Sequence, residues 1–375
     1  MPNVTESDLR GCTRTLLESM GVPPTNAEKT ATSIVLANVK GHDSHGVIRL
    51  PMYNEMIDDG AIDPRADPRV DREDDTTAVV DGQSAFGHVV GRKAVELGVQ
   101  KAKDHGVGVI GLRNGTHLGR VGEWAERAAD RGMIFAAFFN TMGGATSVAP
   151  PGSAERRLST NPLVFGVPTF DALEFPIVLD MATSQVANGK IREYRTDDRQ
   201  LPDGWTITES GDSVTDPDEF FGGDTDMSTE QTGALLPLGG EVSGYKGFGL
   251  GIIAEFFASF VGDGIVQGQR DTDWFSNGAA FFFADPLRFT TERRAETRVE
   301  IFTEYLRSTD FSSDLSVGPA AQGDRYLLPG EPEYRSARRH RENGLSLPDG
   351  VAESLREFAA EMGVQNAIPA SFDSP

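Results

Sequence analysis

Between Thr77 and Asn140 short apolar runs alternate with amphipathic ones, and this alternation limits the possible folds more than any other feature of the chain. Thr77–Val80, Gly106–Leu112 and Met133–Asn140 have the patterning of strands. Val89–His105 and Arg120–Arg131 repeat their apolar residues at helical spacing. Such alternation requires an α/β core with some parallel pairing. Inside it, Gly106-Val-Gly-Val-Ile-Gly111 matches the dinucleotide fingerprint G-x-G-x-x-G by letters. That fingerprint works only in a turn that follows a strand and opens a helix, where backbone N–H groups meet a pyrophosphate. Here the glycines follow a helical stretch and lie among Val and Ile, which is strand material. A second match, Gly249-Leu-Gly-Ile-Ile-Ala254, falls within a predicted helix with no strand before it. The sequence holds no G-x-x-x-x-G-K-[ST] loop and no G-x-S-x-G elbow. A nucleotide site here must be built outside the Rossmann pattern.

Two helices are predicted to open the chain. Thr5 to Met20 carries a capping box, with Asp8 three residues after Thr5 and a stop at Gly21; Pro24 to Lys40 follows. Asp63 to Asp75 reads as a Pro- and Asp-rich connector. After Thr141 the texture changes to short strands, 162–168 and 175–180, among Gly and Pro. Asp197 to Gln231 reads as a polar surface excursion and Tyr245 to Phe260 as a glycine-rich buried helix. Ala279–Asp285 and Arg298–Arg307 are a strand and a further element.

Charge narrows the function. Against 57 Asp and Glu stand 35 Lys and Arg, a formal net charge of -22, and only seven of the cations are lysines. A sequence-independent nucleic-acid binder needs a basic stripe, and an anionic membrane would repel this surface, so neither partner is expected. Carboxylate-dense segments such as 71–75 and 212–226 suggest a halophilic protein, whose self-repulsion salt would screen. The lone cysteine, Cys12, allows no intrachain disulfide and no Cys cluster for a metal. The first residues show no basic or apolar leader pattern. The longest apolar stretch, 249–266, contains Glu255 and Asp263, so a cytoplasmic location is expected.

Only six histidines occur, two of them in Gly41-His-Asp-Ser-His-Gly46. His42 and His45 have weak metal spacing with no third ligand, so no metal is expected. A capped polar turn explains Asp43 and Ser44 but not Arg49 and Tyr53. Spaced at i, i+4 and i+8 on a helix or turn, His45, Arg49 and Tyr53 would share a face suited to a small carboxylate bearing a carbonyl. His117 follows one predicted strand and precedes a helix, where open α/β sheets bind ligands; it is a general acid or base, or a turn residue serving backbone groups. Asp180 closes a strand either as a cap for the next helix or as a partner orienting a catalytic group. Lys246, among glycines, allows either a phosphate approach or close helix packing.

Together these segments resemble the type 2 malate/L-lactate dehydrogenase family, which includes ureidoglycolate dehydrogenase, sulfolactate dehydrogenase and piperideine-2-carboxylate reductase. The stretches are GHDSHGVIRLPMY (41–53), RNGTHLG (113–119), STNPLVFGVP (159–168), LDMATSQVANGK (179–190), LPDGWTITESGDSVTDP (201–217), GALLPLGGEVSGYKGFGL (233–250) and LPGEPEYRSARRHRENGLSLP (328–348). The resemblance implies a non-Rossmann α/β fold with N-terminal helices, an α/β core and a largely antiparallel central sheet domain for NAD or NADP, in a homodimer. It implies segments 1–75 (helices and substrate motif), 76–130 (α/β part), 131–290 (cofactor-binding domain) and 291–375 (packing back on the N-terminal part). His117 would be the proton donor or acceptor, with His45 and Asp180 in the catalytic network. Ser44, Arg49 and Tyr53 would line the pocket for a small carboxylate substrate. Asp180, Met181, Ala182, Ser184, Lys190, Lys246, Gly330 and Glu331 would contact the cofactor. The expected reaction is hydride transfer between nicotinamide and a 2-oxo or 2-hydroxy acid of malate, lactate or sulfolactate type. The alternatives are a cyclic imine reductase, a ureidoglycolate dehydrogenase or a nucleotide-binding regulatory protein on the same scaffold. Glu241 stands where the family often has His, and Asn277-Gly278 where it often has Gly-His.

Overall fold

A computed structural model describes every residue except 1, 144–145, 223–230, 270–273, 275, 311–320, 323–324 and 374–375. Residues 223–230 of the predicted polar excursion, with the end of the acidic segment 212–226, lie outside the described residues. After a two-residue strand β1 (Asn3–Val4), helix α1 (Glu6–Ser19) begins where the capping box predicts. The Thr5 hydroxyl oxygen accepts the Asp8 N–H at 3.1 Å. Helix α2 (Pro24–Val39) starts on Pro24, whose missing N–H costs nothing in a first turn. Helix α3 is Leu50–Asp58.

One seven-stranded sheet organises the middle of the chain. Its strands are β2 (Arg69–Glu73), β3 (Thr77–Asp81), β4 (Val107–Gly115), β5 (Ile134–Asn140), β6 (Leu163–Val167), β7 (Ile177–Met181) and a late strand, Asn277–Ala284. The late strand is inserted between β4 and β5 and runs antiparallel to both. Within this sheet only β3 and β4 pair in parallel, joined by helix α4 (Gly87–His105), so the sheet is mostly antiparallel. The connector 63–75 thus holds an edge strand that its Pro and Asp content masked. Gly106 sits at φ +89 and ends α4; the glycines after it lie in β4. The letter match to the dinucleotide fingerprint is therefore a helix stop followed by a strand.

Helices α4 and α5 (Gly122–Ala129) cover one side of this sheet, burying Val90, Val95, Trp124 and Ala125 against Ile110, Phe135, Val164 and Phe281. Each such side chain contributes about 1.5–3 kcal/mol. Helix α6 (Asn188–Thr196) follows β7. The 197–231 region also carries structure of its own. Short strands β8 (Thr206–Ile207), β9 (Ser213–Val214) and β10 (Ala234–Leu235) form a small sheet. With helix α7 (Pro217–Phe220) they enclose Phe220, Phe221 and Leu235. Helix α8 (Gly240–Gly262) packs on β4, β5 and the late strand through its small residues. Contrary to the buried helix expected, its large residues face outward: Val242 is 92%, Tyr245 64% and Phe260 77% exposed. Glycines supply the packing face, so hydrophobicity alone misreads which side is inside.

Helices α9 (Glu292–Arg307), α10 (Glu331–Asn343) and α11 (Asp349–Glu361) complete the chain. The last two return to the N-terminal helices, where Leu355 and Phe358 share a core with Leu16, Ile34 and Tyr53. Among the described residues no helix is long and apolar enough to cross a membrane.

Candidate active site

The polar knot after α2 does not continue as one helix. It forms two 3-10 turns, Asp43–His45 and Val47–Arg49, before α3 begins at Leu50 with Pro51 in its first turn. The i, i+4, i+8 face expected for His45, Arg49 and Tyr53 is therefore not a helical face. The knot is held from α2 instead, since Asn38 Oδ1 accepts the Val47 N–H at 2.9 Å and its Nδ2 donates to Asp43 Oδ1 at 2.6 Å. The three side chains still converge, because the turns fold back on one another. Arg49 Nε donates to the Ser44 carbonyl at 2.6 Å, and Ser44 Oγ lies 3.1 Å from His45 Nδ1. Gly189, in the first turn of α6, closes on the same point: a Cβ there would lie 3.3 Å from Ser44 Cβ and 3.9 Å from Arg49 Nη2.

His117 arrives from the other side, just past the end of β4. Its backbone is pressed against the start of α4, where a Cβ on Gly87 would sit 2.2 Å from the His117 carbonyl oxygen. The Thr116 hydroxyl donates to Ala85 O and accepts the Gly87 N–H, both at 3.0 Å. The buried imidazole stacks on His45 with centroids 5.5 Å apart, and its Nδ1 is 2.8 Å from the Tyr53 hydroxyl. Tyr53 is fully buried and meets Phe86 and His88 edge-on.

Burial sets the protonation of this group, and the positive charges beside it act in the same sense. His117 is held well below its ordinary value, first by desolvation, then by Arg49, His45 and His88. His45 keeps some access to the cleft but is ringed by protein; desolvation and then Arg49 push it down to about 3. Desolvation raises Tyr53, with Arg49 opposing, so the phenol stays neutral. Two neutral imidazoles, a phenol and a half-buried guanidinium thus face one space. The guanidinium suits a carboxylate, and an imidazole suits transfer of one proton.

Asp180 is the penultimate residue of β7, with its side chain accessible. Both readings of it contain part of the answer. It does cap a helix, but across the sheet: Oδ2 accepts the N–H of Gly122, the first residue of α5, at 2.8 Å. It also faces His42 and Arg120; desolvation, the larger effect, raises its pKa, while those two charges and the Gly122 N–H act to lower it. Arg120 is buried and bonds Glu126 Oε2 at 2.5 Å, and Lys40 reaches Glu126 at 3.3 Å. His42 pairs with Glu333 of α10 at 3.1 Å. Among the described residues no three His, Cys, Asp or Glu side chains gather as a metal site.

The remaining expected residues are spread out. Met181 and Ala182 continue from Asp180, partly exposed. Ser184 is buried and spends its hydroxyl proton on Val186 O at 2.7 Å. Lys190 is exposed on α6 and pairs with Glu193, and Lys246 is exposed on α8. Gly330 is packed against β7, where a Cβ would meet Pro176 O at 2.8 Å. Glu331 is buried and bound by Arg335 at 2.7 Å, Arg307 at 3.3 Å and the Leu328 N–H at 3.1 Å. Ser44, His45, Arg49, Tyr53 and His117 thus form one cluster. Lys246, Gly330 and Glu331 have no described contact with that cluster. Sequence reasoning missed His88, Arg120 and Glu333. Arg120, three residues after His117, was the one within reach of a local signal.

Comparison with known proteins identifies what the chain as a whole is similar to. A malate/L-lactate dehydrogenase family model matches residues 4–356. A malate dehydrogenase of Pyrococcus horikoshii is 32% identical over 93% of this chain and 92% of its own length. An L-sulfolactate dehydrogenase of Methanocaldococcus jannaschii is 31% identical over 93% of this chain and 94% of its own. The crystal structure of malate dehydrogenase from Entamoeba histolytica superposes with a TM-score of 0.86 at 28% identity, covering 96% of this chain and 98% of that one.

Proposed function

The chain belongs to the malate/L-lactate dehydrogenase family, and from that premise we propose that His117 is the proton donor and acceptor for interconversion of a small 2-hydroxy acid and its 2-oxo acid. The enzyme is a dehydrogenase of hydroxy acids. The observation that carries the assignment of His117 is its 2.8 Å bond to Tyr53 beside the half-buried Arg49. A neutral Tyr53 oxygen can accept from Nδ1–H, which leaves Nε2 as the basic nitrogen for a substrate hydroxyl. The same tautomer serves the reverse direction once Nε2 is protonated. Arg49, its Nε anchored on Ser44, offers its Nη groups to the substrate carboxylate and fixes the reacting carbon relative to His117. Asp180 orients Arg120 and the start of α5 at the cleft wall.

The residues fit NAD or NADP. The sheet beyond β5 exposes Phe165, Val167 and Leu179, an apolar platform ending at Asp180. Next to it α6 begins without a side-chain cap, and the buried Asn188 Oδ1 has no partner. An uncapped helix start suits a pyrophosphate, and an orphan amide oxygen suits a carboxamide N–H. Asp180, Met181, Ala182, Asn188 and Lys190 would hold the cofactor, which supplies or accepts hydride. The exposed apolar face of α8 is the surface we assign to a homodimer, and the acid-rich composition to a salt-rich setting.

The test is reduced-nicotinamide absorbance with both cofactors against malate, L-lactate, sulfolactate and a cyclic imine carboxylate, for the wild type and His117→Ala. His117→Ala should lose about 10²-fold or more in kcat with cofactor affinity little changed. Wild-type turnover by the variant would remove His117 from the mechanism.

A further inference from the structure

His117 is gripped on both sides through its backbone neighbours. Before it, Thr116 ties the chain to the start of α4. After it, the Leu118 N–H donates to Asn277 Oδ1 at 2.9 Å. Asn277 opens the late strand, opposite Gly115 of β4, at a register shift between residues 277 and 279. The irregularity lets the Asn277 amide reach beyond the last regular pair, to the segment carrying His117. Its Nδ2 in turn donates to the carbonyl of Asn140, the last residue of β5, at 3.1 Å.

That carbonyl is itself fixed. Asn140 is fully buried, and its Nδ2 donates to Glu255 Oε1 at 2.9 Å and to Ile265 O at 3.0 Å. Glu255, buried on α8, also accepts from Asn161 Nδ2 and the Gln267 N–H, both at 2.8 Å. The chain of bonds runs Glu255, Asn140, Asn277, Leu118, and ends one residue from the imidazole. The donors along this path are paired, although the buried Asn140 Oδ1 has no partner, and releasing Asn277 would leave the Leu118 N–H without its acceptor.

We propose that Asn277 is a positioning residue for His117, bridging the Leu118 N–H to the Asn140 carbonyl so that the imidazole keeps its place between Tyr53 and the substrate. This rests on the reading of His117 as the proton-transfer group. Asn277 touches no substrate and acts through Leu118.

The experiment compares Asn277→Ala, which removes both bonds, with Asn277→Asp, which keeps an acceptor for Leu118, in the full-length enzyme with its cofactor. Asn277→Ala should lower kcat about 5- to 30-fold, the loss of one or two buried hydrogen bonds. Cofactor Kd should stay within about twofold, the acid limb of the kcat–pH profile should move, and the solvent isotope effect should rise as proton transfer becomes limiting. Asn277→Asp should restore most of the turnover. Should the alanine variant fail to fold, Asn277→Ser, too short to reach Leu118, is read in its place by the same criteria. A folded variant without the Leu118 bond but with wild-type kcat and pH profile overturns the proposal. A catalytically normal His117→Ala would instead overturn the reading of His117 itself, so the two failures are distinguishable.

Discussion

Tyr53→Phe removes one oxygen atom and tests whether the 2.8 Å bond to His117 is mechanistic. The phenylalanine ring keeps the edge-on contacts with Phe86 and His88, so packing survives. What changes is His117, 8% exposed, whose Nδ1 loses a hydrogen-bond partner inside the protein. Stranding a buried polar atom costs about 1–3 kcal/mol. The cost falls hardest on the imidazolium, which needs an acceptor at Nδ1. If it is met only when His117 is protonated during turnover, it raises the barrier and lowers kcat about 5- to 150-fold. Binding contacts to the carboxylate are untouched, so KM should move less than kcat. The assay is steady-state turnover in both directions with nicotinamide absorbance, beside a thermal melt confirming the fold. Wild-type kcat with an intact melt would show that Tyr53 merely packs against the imidazole, and the tautomer argument would fail.

Arg49→Lys should chiefly raise KM for carboxylate substrates, because an ammonium can neither make two parallel bonds nor hold the Ser44 carbonyl as Nε does; unchanged KM and kcat would free Arg49 from that role. His88 is pushed down to about 3, by burial and then by Arg92, so the folded protein leaves it neutral while the unfolded chain protonates near 6.5. Stability from this group is complete above that unfolded value and is lost as pH falls toward 3. His88→Gln should therefore flatten the acid-side stability slope by one proton, about 1.4 kcal/mol per pH unit, and denaturant midpoints running parallel to wild type across that window would contradict it. With a net charge of -22, Tm and activity should both rise toward molar KCl, as the Debye length falls from ~10 Å at 0.1 M to ~3 Å at 1 M; an activity optimum below about 0.2 M salt would reject the halophile reading.

Strand–helix alternation made β3, α4, β4, α5 and β5 legible, because each is long enough for its apolar period to register. It could not show that a strand from residues 277–284 is inserted between β4 and β5, since pairing at that distance leaves no local trace. The edge strand β2 was hidden because one exposed side asks for charged residues, and Arg69 to Glu73 reads as a loop. At the site, His117 and His45 were visible as residue types in unusual company, and the family resemblance joined them. The shared face of His45, Arg49 and Tyr53, read as a helix or a turn, is realised through two 3-10 turns and not through one helix. His88 escaped notice because nothing near it in sequence is chemical; it becomes relevant only when α4 is laid against Tyr53. Glu331, singled out by its motif, turns its carboxylate inward to Arg307 and Arg335, a pairing that no local pattern in the sequence announces.

Two causes hold His117 neutral, and a substrate acts on them differently. Burial is permanent and deepens as a ligand fills the cleft. The opposition of Arg49 is conditional, because a carboxylate on the guanidinium cancels its charge where it faces the imidazole. A carboxylate substrate therefore raises the basicity of His117 by occupying the site, at the moment when a proton must be accepted from its hydroxyl. An uncharged alcohol would bring the same hydroxyl without that change and would meet a weaker base. In the proposed mechanism Arg49 would thus link recognition to reactivity, binding a carboxylate and, through the neighbouring imidazole, favouring that class of substrate over an uncharged alcohol.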